Sequence, residues 1–239
     1  MAIIDKPSDY FNTKLYTGNA TNPTTISGIG FQPDWVWTKL RAGGTEGHRL
    51  CDAVRGVTKD LFSNDSDAEA TNSIGLKSFN SDGYVIGNSN GYNINSGTFV
   101  SWNWLGANGT ASNTTGSIDS TVSANTTSGF SIVKYTAGSS GANTDTIGHG
   151  LGVIPQMIIL KTTTATDSWV VYHQSNGAGK SMVLNSTAAV ATNTNIYPTT
   201  PTSSVFYPGS TATTNASSRT YIAYCFAEKQ GYSKFGSYT

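Results

Sequence analysis

The chain contains 239 residues with 14 Lys+Arg against 14 Asp+Glu, so its formal net charge at pH 7 is zero. Charged residues make up 12% of the chain, well below the ~25% of ordinary soluble domains. This balance offers no basic excess for a polyanion, which argues against nucleic acid as a partner. The chain also lacks a run of ~18 apolar residues, so we expect no transmembrane helix.

The polar part of the composition consists mainly of hydroxyl and amide groups. Thr, Ser, Asn and Gly number 34, 29, 20 and 26, which is nearly half of the chain. Hydrophobic residues still reach 37% and aromatic residues 11%, which is too many for a disordered polar chain. Aromatic and β-branched residues suit a pleated, half-buried surface, so the composition favours an all-β fold.

Apolar runs alternate with turn-forming clusters about every ten residues, a spacing typical of short strands in a sandwich or barrel. The predicted strands, in chain order, are Asn12–Thr17, Phe31–Leu40, Leu76–Phe79, Tyr84–Ile86, Thr98–Leu105, Phe130–Thr136, Pro155–Lys161, Ser168–His173, Ser181–Asn185, Val205–Tyr207 and Arg219–Ala227.

Three segments between these strands carry their own signals. Asp82-Gly83 lies between two apolar runs and predicts a β-hairpin, because glycine adopts positive φ at low cost. Leu50–Phe62 has the only helix-like spacing and predicts a short helix. Gly106–Ser117 holds no large apolar side chain and predicts an exposed loop or linker.

The two halves of the chain contain matching apolar blocks. Gly30–Pro33 and Gly152–Pro155 share the pattern G-x-x-P, and Thr98–Trp102 matches Thr220–Tyr224, both at an offset of 122 residues. The matches fall on the apolar strands rather than on the polar loops. We therefore expect two tandem copies of one β unit.

The chain ends with a further echo of the same unit. Gly231–Thr239 resembles Gly129–Thr136, so we expect an extra C-terminal strand that pairs with the second sheet or with a neighbouring subunit. The expected fold is therefore all-β, with two tandem antiparallel β-sandwich (jelly-roll-like) domains produced by internal duplication. Their expected boundaries are 1–108 for the first domain and 109–239 for the second.

One acidic cluster could carry chemistry. Asp65, Asp67 and Glu69 stand at alternate positions, so on a strand they would share one face, as glycosidase carboxylates or calcium ligands can. The alternative is a solvated acidic loop, which the turn-forming Asn64 and Ser66 favour. We assign no catalytic, cofactor-binding or metal-binding residue.

The histidines and cysteines give little evidence for a reactive site. His48, His149 and His173 do not have metal-ligand spacing, and we expect structural roles for them. Cys51 and Cys225 are flanked by apolar residues, which favours buried thiols over a disulfide bridge or a reactive thiol.

The tryptophans have two interpretations. Trp35 and Trp37 alternate along one predicted strand, and Trp102 and Trp104 along another. Trp169 lies in the predicted strand Ser168–His173. Exposed rings could stack on sugars, whereas buried rings would pack in a core. The matching positions of the second half are also apolar, which favours the core: Met157, Ile159, Tyr224 and Phe226.

Several of these blocks resemble a known family. GIGFQPDWVWTK, DAVRG, NSDGYVIG and FVSWNW in the first half, with GHGLGVIPQMIILK, SWVVYHQ and YIAYCFAEKQGYSKFGSYT in the second, resemble a repeat family found in proteins of marine bacteriophages. The resemblance covers most of the chain. It implies a virion structural protein, often described as tail-fibre-like, and supplies no catalytic residues.

These observations together define an expected function. We expect a non-enzymatic bacteriophage virion structural protein at the particle surface, in the capsid or the tail, without a cofactor. Its role would be a surface appendage or fibre-like module that binds a host cell-surface glycan. The alternatives are a capsid decoration (cement) protein without a ligand and a glycan-degrading enzyme. Expected partners are other virion proteins, further copies of the chain and the host glycan, with no nucleic acid and no membrane insertion.

Overall fold

The structure is a computed structural model that describes residues 3–138 and 141–238. The chain divides into two compact units. The N-terminal unit is residues 7–109, and the C-terminal unit is residues 110–238 together with residues 3–6. The division after residue 109 falls within the predicted linker. Residues 3–6 were expected in the first domain but group with the C-terminal unit, where the Ile4 N–H donates to the carbonyl of Gln230 at 3.0 Å.

Short strands build the N-terminal unit, with one 3-10 turn at Pro7–Asp9 and one helical turn, α1, at Asn90–Asn93. Its strands are β1 (Phe11–Thr17), β2 (Thr24–Ser27), β3 (Trp35–Ala42), β4 (Arg49–Asp52), β5 (Lys59–Asp60), β6 (Ala70–Thr71), β7 (Leu76–Asn80), β8 (Gly83–Ile86) and β9 (Thr98–Trp104).

The described residues of the C-terminal unit also form mainly strands, with one helical turn, α2, at Ala212–Asn215. Its strands are β10 (Ala111–Asn113), β11 (Ser120–Asn125), β12 (Phe130–Thr136), β13 (Ile147–Gly148), β14 (Met157–Thr162), β15 (Val170–His173), β16 (Lys180–Val183), β17 (Ala191–Thr192), β18 (Val205–Phe206) and β19 (Thr220–Phe226).

Two antiparallel sheets enclose the core of the N-terminal unit. One has the order β1-β9-β3-β4 and the other β2-β8-β7, while β5 and β6 form a separate pair. Val36 and Cys51 of the first sheet pack with Ile26 and Tyr84 of the second in one buried cluster. Because side chains alternate between the faces of a strand, each sheet contributes every second residue to this core. The arrangement is sandwich-like.

The C-terminal unit has one large antiparallel sheet with the order β10-β11-β12-β19-β14-β15-β16-β17, and β13 pairs separately with β18. Its core cluster joins residues of the large sheet, such as Tyr135, Ile158 and Cys225, to Ile147 of β13 and Phe206 of β18. The large sheet therefore buries one face against a smaller layer, and the fold of both units is all-β.

The predicted hairpin is confirmed, with β7 paired to β8 across a tight turn. The predicted helix over Leu50–Phe62 is wrong, because that segment contains β4, a turn and β5. The Asp52 carboxylate accepts the backbone N–H groups of Val54 and Arg55 at 3.1 and 2.8 Å, which reverses the chain after β4. Such a local side-chain to backbone turn competes directly with helix formation.

The predicted linker Gly106–Ser117 is partly a strand. Ala111–Asn113 forms β10, which pairs antiparallel with β11. β11 was not predicted at all, because its Ser- and Thr-rich sequence lacks an alternating apolar pattern. It is held by a six-residue ladder to β12 instead.

The expected C-terminal strand over Gly231–Thr239 does not form in residues 231–238, and Thr239 lies outside the described residues. Instead, the backbone N–H groups of Tyr232 and Ser233 both donate to the carbonyl of Lys229, at 3.0 and 2.9 Å, closing a turn. Phe235 then places its ring 6.3 Å from the ring of Phe226. A tight turn followed by aromatic packing thus replaces strand pairing.

The helical turns of the described residues are three or four residues long. None of them is long and apolar enough to cross a membrane.

Candidate functional site

The acidic cluster lies in the loop between β5 and β6 rather than on a strand. Asp65 and Asp67 are exposed, whereas the Glu69 carboxylate faces Arg55 at 3.2 Å and Lys59 at 3.7 Å. The negative charge of Glu69 is therefore compensated by these two cations within the fold. In the part of the chain that the structure describes, no group of three or more His, Cys, Asp or Glu side chains is arranged to hold a metal ion.

Arg55 is the centre of a buried ionic cluster. Its side chain is 1% exposed, and its Nε donates to the Asp52 carboxylate at 2.5 Å. Its remaining N–H groups donate to the backbone carbonyls of Lys59 and Leu50, both at 2.9 Å, and to Glu69. A guanidinium presents five donors in a fixed geometry, so this one side chain connects β4, β5 and the loop before β6. Arg55 therefore cross-links these segments and has a structural role.

A second buried carboxylate, Asp60, is also fully engaged. It accepts the Tyr92 hydroxyl at 2.5 Å and the Asn72 amide at 2.9 Å, and its other charged neighbour is Arg49 at 3.7 Å. Burial is the main cause of the raised pKa of Tyr92, and the negative charge of Asp60 raises it further. Asp60 therefore anchors α1 to β5.

Asp34 precedes β3 and holds the segment that follows β9. Its Oδ2 accepts the backbone N–H groups of Gly106 and Asn108 at 2.8 and 2.9 Å, while Oδ1 is buried without a hydrogen-bond partner among the described residues. Burial raises the pKa of this carboxyl, and the two backbone N–H groups oppose that shift. Gln156 occupies the same place before β14, where its Oε1 accepts the backbone N–H of Glu228 at 2.5 Å.

The three histidines have separate structural contacts. His48 Nδ1 accepts the indole N–H of Trp37 at 2.8 Å, and His173 Nδ1 accepts the backbone N–H of Ser175 at 3.2 Å. His149 is fully buried, and burial lowers its pKa. No two of these histidines share a ligand or a catalytic partner in these contacts.

Cys51 and Cys225 are free, buried thiols, each in the core cluster of a different unit. Burial raises the pKa of Cys51 to about 12 and raises the pKa of Cys225 as well. Since the thiolate is the nucleophile, neither cysteine is reactive in the native fold.

The tryptophans of the N-terminal unit form a row on one face of the sheet β1-β9-β3-β4, opposite to the core cluster. The Trp104 ring lies 4.8 Å from that of Phe11 and 4.3 Å from that of Trp35, and Trp37 continues the row. Trp35 is 1% exposed, and Trp37, Trp102 and Trp104 are partly buried. These rings pack on one another, which agrees with packing rather than with an open sugar platform.

One buried asparagine in each unit joins a helical turn to the surrounding loops. Asn93 donates its amide N–H groups to the carbonyls of Gly87 and Thr21 at 3.1 and 2.9 Å. Asn215 closes α2, as Asn93 closes α1, and donates to the carbonyl of Gly209 at 2.9 Å. Both side chains are almost completely buried, so their hydrogen bonds order the loops beside β9 and β19.

The C-terminal unit also contains an open cleft of ≈ 400 Å³ beside the ends of β14 and β19. Its wall includes the exposed Ile154, the side chains of Gln156 and Gln174, and the exposed Glu228 and Gln230. Amide and carboxylate groups next to an apolar side chain can bind a polyhydroxylated ligand. We call this the Gln cleft.

The comparisons with known proteins give one result. The family model of a domain of unknown function, DUF7483, matches residues 6–239. The chain belongs to this family. The DUF7483 match covers both units, so the two are parts of one family pattern. No curated protein and no solved structure matches the chain.

The residues that hold this DUF7483 chain together could not be recognised from the sequence alone. The DAVRG block contains both Asp52 and Arg55. The available signal was an acidic and a basic residue three positions apart, followed directly by Gly56, which is typical of a turn closed by an ion pair. The other partners of Arg55 are backbone carbonyls, which no residue pattern reveals. The Gln cleft was also missed, because its residues come from three separate segments.

Proposed function

We propose that this protein is a non-enzymatic structural component of a bacteriophage virion, exposed at the particle surface as an appendage or fibre-like module. The observation that carries the proposal is the use of charged groups inside the fold. Arg55 forms a buried ion pair with Asp52 and a second, partly exposed pair with Glu69. The buried Asp60 carboxylate accepts the Tyr92 hydroxyl, and these contacts tie strands to loops. The resemblance of the strand blocks to a marine bacteriophage repeat family supports the same role.

We also propose that the two units are tandem copies of one antiparallel β-sandwich. The order β1-β9-β3-β4 in one unit corresponds to β12-β19-β14-β15 in the other. Asn93 with its acceptor Gly87 corresponds to Asn215 with its acceptor Gly209, each 122 residues further along the chain. These correspondences involve buried hydrogen bonds as well as strand order, which chance similarity of polar loops would not produce.

Glycan binding is a second function, favoured by the Gln cleft. Gln156 Oε1 and Gln174 Nε2 bond the protein itself, so the polar groups offered to a ligand are Gln156 Nε2, Gln174 Oε1 and the Glu228 carboxylate. They lie beside the exposed Ile154, which could pack on the apolar face of a sugar ring. A glycan-array screen of the intact protein tests this function. Binding that is lost in Glu228→Ala and kept in Glu46→Ala, a change in the other unit, would support it. Absence of binding on an array of host surface glycans would favour the capsid decoration role, which needs no ligand.

The virion role is tested by imaging the intact particle with cryo-electron microscopy and locating this chain. Copies at the tail or at a fibre tip would support the appendage. Copies distributed over the icosahedral shell would instead assign the decoration role. Purified virions without this chain would contradict the proposal.

A further inference from the structure

The two units differ at one sheet edge. In the C-terminal unit, β12 is covered on one side by β19 and on the other by β11. In the N-terminal unit, the corresponding strand β1 pairs with β9 alone and ends the sheet. The residues that precede β1 form the 3-10 turn, and residues 3–6 belong to the other unit. Nothing in the described chain therefore takes the place of β11 beside β1.

The hydrogen-bonding groups of this edge can be assigned from the ladder. The Gly18 N–H donates to the carbonyl of Gly97 at 2.8 Å, and the Leu105 N–H donates to that of Tyr10 at 2.9 Å. Since bonding alternates along an antiparallel pair, even-numbered residues of β1 bond β9. Thr13, Leu15 and Thr17 therefore direct their backbone N–H and C=O groups away from the sheet.

The covered edge of the C-terminal unit has the same geometry. There, Phe130, Ile132 and Lys134 stand opposite Asn125, Ser123 and Thr121 of β11. The seven-residue β1–β9 register runs without a bulge, and β1 contains no proline. β1 thus lacks two of the devices that commonly block pairing at an exposed edge. Its one charged residue, Lys14, lies on the other face, near Asp82.

An exposed apolar side chain marks the middle of the same edge. Leu15 is 58% exposed, whereas Lys134 stands at the corresponding position of the covered strand. Leucine on an open edge loses its exposed apolar surface when a second strand is added, and each buried CH₂ contributes about 0.8 kcal/mol. Thr13 and Thr17 on either side of Leu15 are also exposed.

We propose that β1 is an assembly edge that pairs antiparallel with β1 of a second copy of this chain, with Leu15 opposite Leu15 of that copy. A two-fold axis at Leu15 makes the contact self-complementary, as closed dimers require. It also places Thr13 opposite Thr17 of the second copy and Lys14 opposite Tyr16. An alternative register has the two-fold axis at Lys14 and would place Lys14 opposite Lys14 of the second copy. Like charges directly opposite each other destabilise a strand pair.

This inference deepens the structural role proposed above and rests on it, but it is tested on the purified protein rather than on the virion. Sedimentation velocity over a concentration series up to the millimolar range should show a monomer–dimer equilibrium. Leu15→Lys should raise the dimer dissociation constant at least about tenfold, because two lysines would then face each other. The control is Ile74→Lys, which changes a residue of the same unit that is 44% exposed and lies in the loop between β6 and β7. It should leave the dimer intact.

A cross-linking experiment fixes the register and does not depend on the stability of a charged variant. Leu15→Cys should form a covalent dimer on mild oxidation, because residues paired across a ladder have Cα atoms about 5.5 Å apart, within disulfide reach. Thr13→Cys should not, because its partner is Thr17. A wild-type monomer at every concentration, or cross-linking of Thr13→Cys without Leu15→Cys, would overturn the proposal. A virion that contains the chain only as a monomer would contradict the β1 pairing and leave the proposed virion role standing.

Discussion

At the scale of single residues, Asp34 shows how the two units solve one problem with different chemistry. Both units need an acceptor for the backbone N–H groups that follow β9 or β19. The N-terminal unit uses the buried carboxylate of Asp34, and the C-terminal unit uses the neutral amide of Gln156. The carboxylate accepts two N–H groups, but it also carries the cost of burying a charge.

We predict that Asp34→Asn preserves or increases stability at pH 7. The folded-state pKa of Asp34 is raised by burial, so its contribution to stability is greatest below the unfolded pKa of ~3.9 and is lost as the pH rises through the folded pKa. Asparagine keeps an oxygen acceptor for Gly106 and Asn108 and removes this pH dependence. Urea unfolding between pH 3 and pH 8 measures the difference in unfolding free energy.

The control for this prediction is Asp34→Ala, which removes the acceptor and leaves two backbone N–H groups without it. It should lower the unfolding free energy by about 1–3 kcal/mol at every pH. An Asp34→Asn protein that is as unstable as Asp34→Ala at pH 7 would show that the charge itself is required.

At the scale of secondary-structure elements, the apolar strands were predictable and the polar ones were not. The predicted Phe130–Thr136 is β12 with the same bounds, and Thr98–Leu105 differs from β9 by one residue. Three of the four residues of β2 and three of the six of β11 are Ser or Thr, whose side chains give no hydrophobic period. They become strands because a neighbouring strand supplies their ladder, which is a tertiary effect.

The same limit explains the error over Leu50–Phe62. Its apolar residues have helical spacing, but Asp52 and Arg55 close a turn in the middle of the segment. That turn depends on a buried ion pair, and the contribution of this pair to stability depends on how the rest of the unit buries it. The candidate site shows the same limit. The sequence identified Asp65, Asp67 and Glu69 as one acidic cluster, but it could not show that Glu69 pairs with Arg55.

We predict that Arg55→Met lowers the unfolding free energy by about 3–5 kcal/mol, because it leaves the buried Asp52 carboxylate without its cation. The carbonyls of Leu50 and Lys59 also lose their guanidinium donors. Thermal and urea unfolding measure the loss. Arg41→Met is the control, because Arg41 is exposed at the end of β3, and it should change the stability by less than about 0.5 kcal/mol.

A double variant separates loss of the cation from loss of packing. Asp52→Asn combined with Arg55→Met removes the uncompensated charge, so it should be more stable than Arg55→Met alone. If the double variant is equally unstable, the loss comes from the missing side-chain contacts and the ion-pair explanation fails.

At the scale of the whole molecule, each unit carries one natural probe of its own stability. Cys51 belongs to the core cluster of the N-terminal unit and Cys225 to that of the C-terminal unit. Both thiols are fully buried, and burial raises the pKa of each. Modification by a thiol reagent therefore requires the unit that holds the thiol to open.

We predict that single-cysteine variants will report the two units separately. Cys51→Ala leaves only Cys225, and Cys225→Ala leaves only Cys51. In the native protein each remaining thiol should react roughly a thousandfold more slowly than in denaturant, because only the rare open state exposes it. Combining Arg55→Met with Cys225→Ala should accelerate labelling of Cys51, since the lost ion pair lies in the same unit. Combining Arg55→Met with Cys51→Ala should change the labelling of Cys225 less.

Ser237→Cys, at an exposed position, provides the rate of a freely accessible thiol. Equal acceleration at both cysteines would mean that the two cores open as one cooperative unit, and immediate reaction of either thiol in the native protein would contradict its burial.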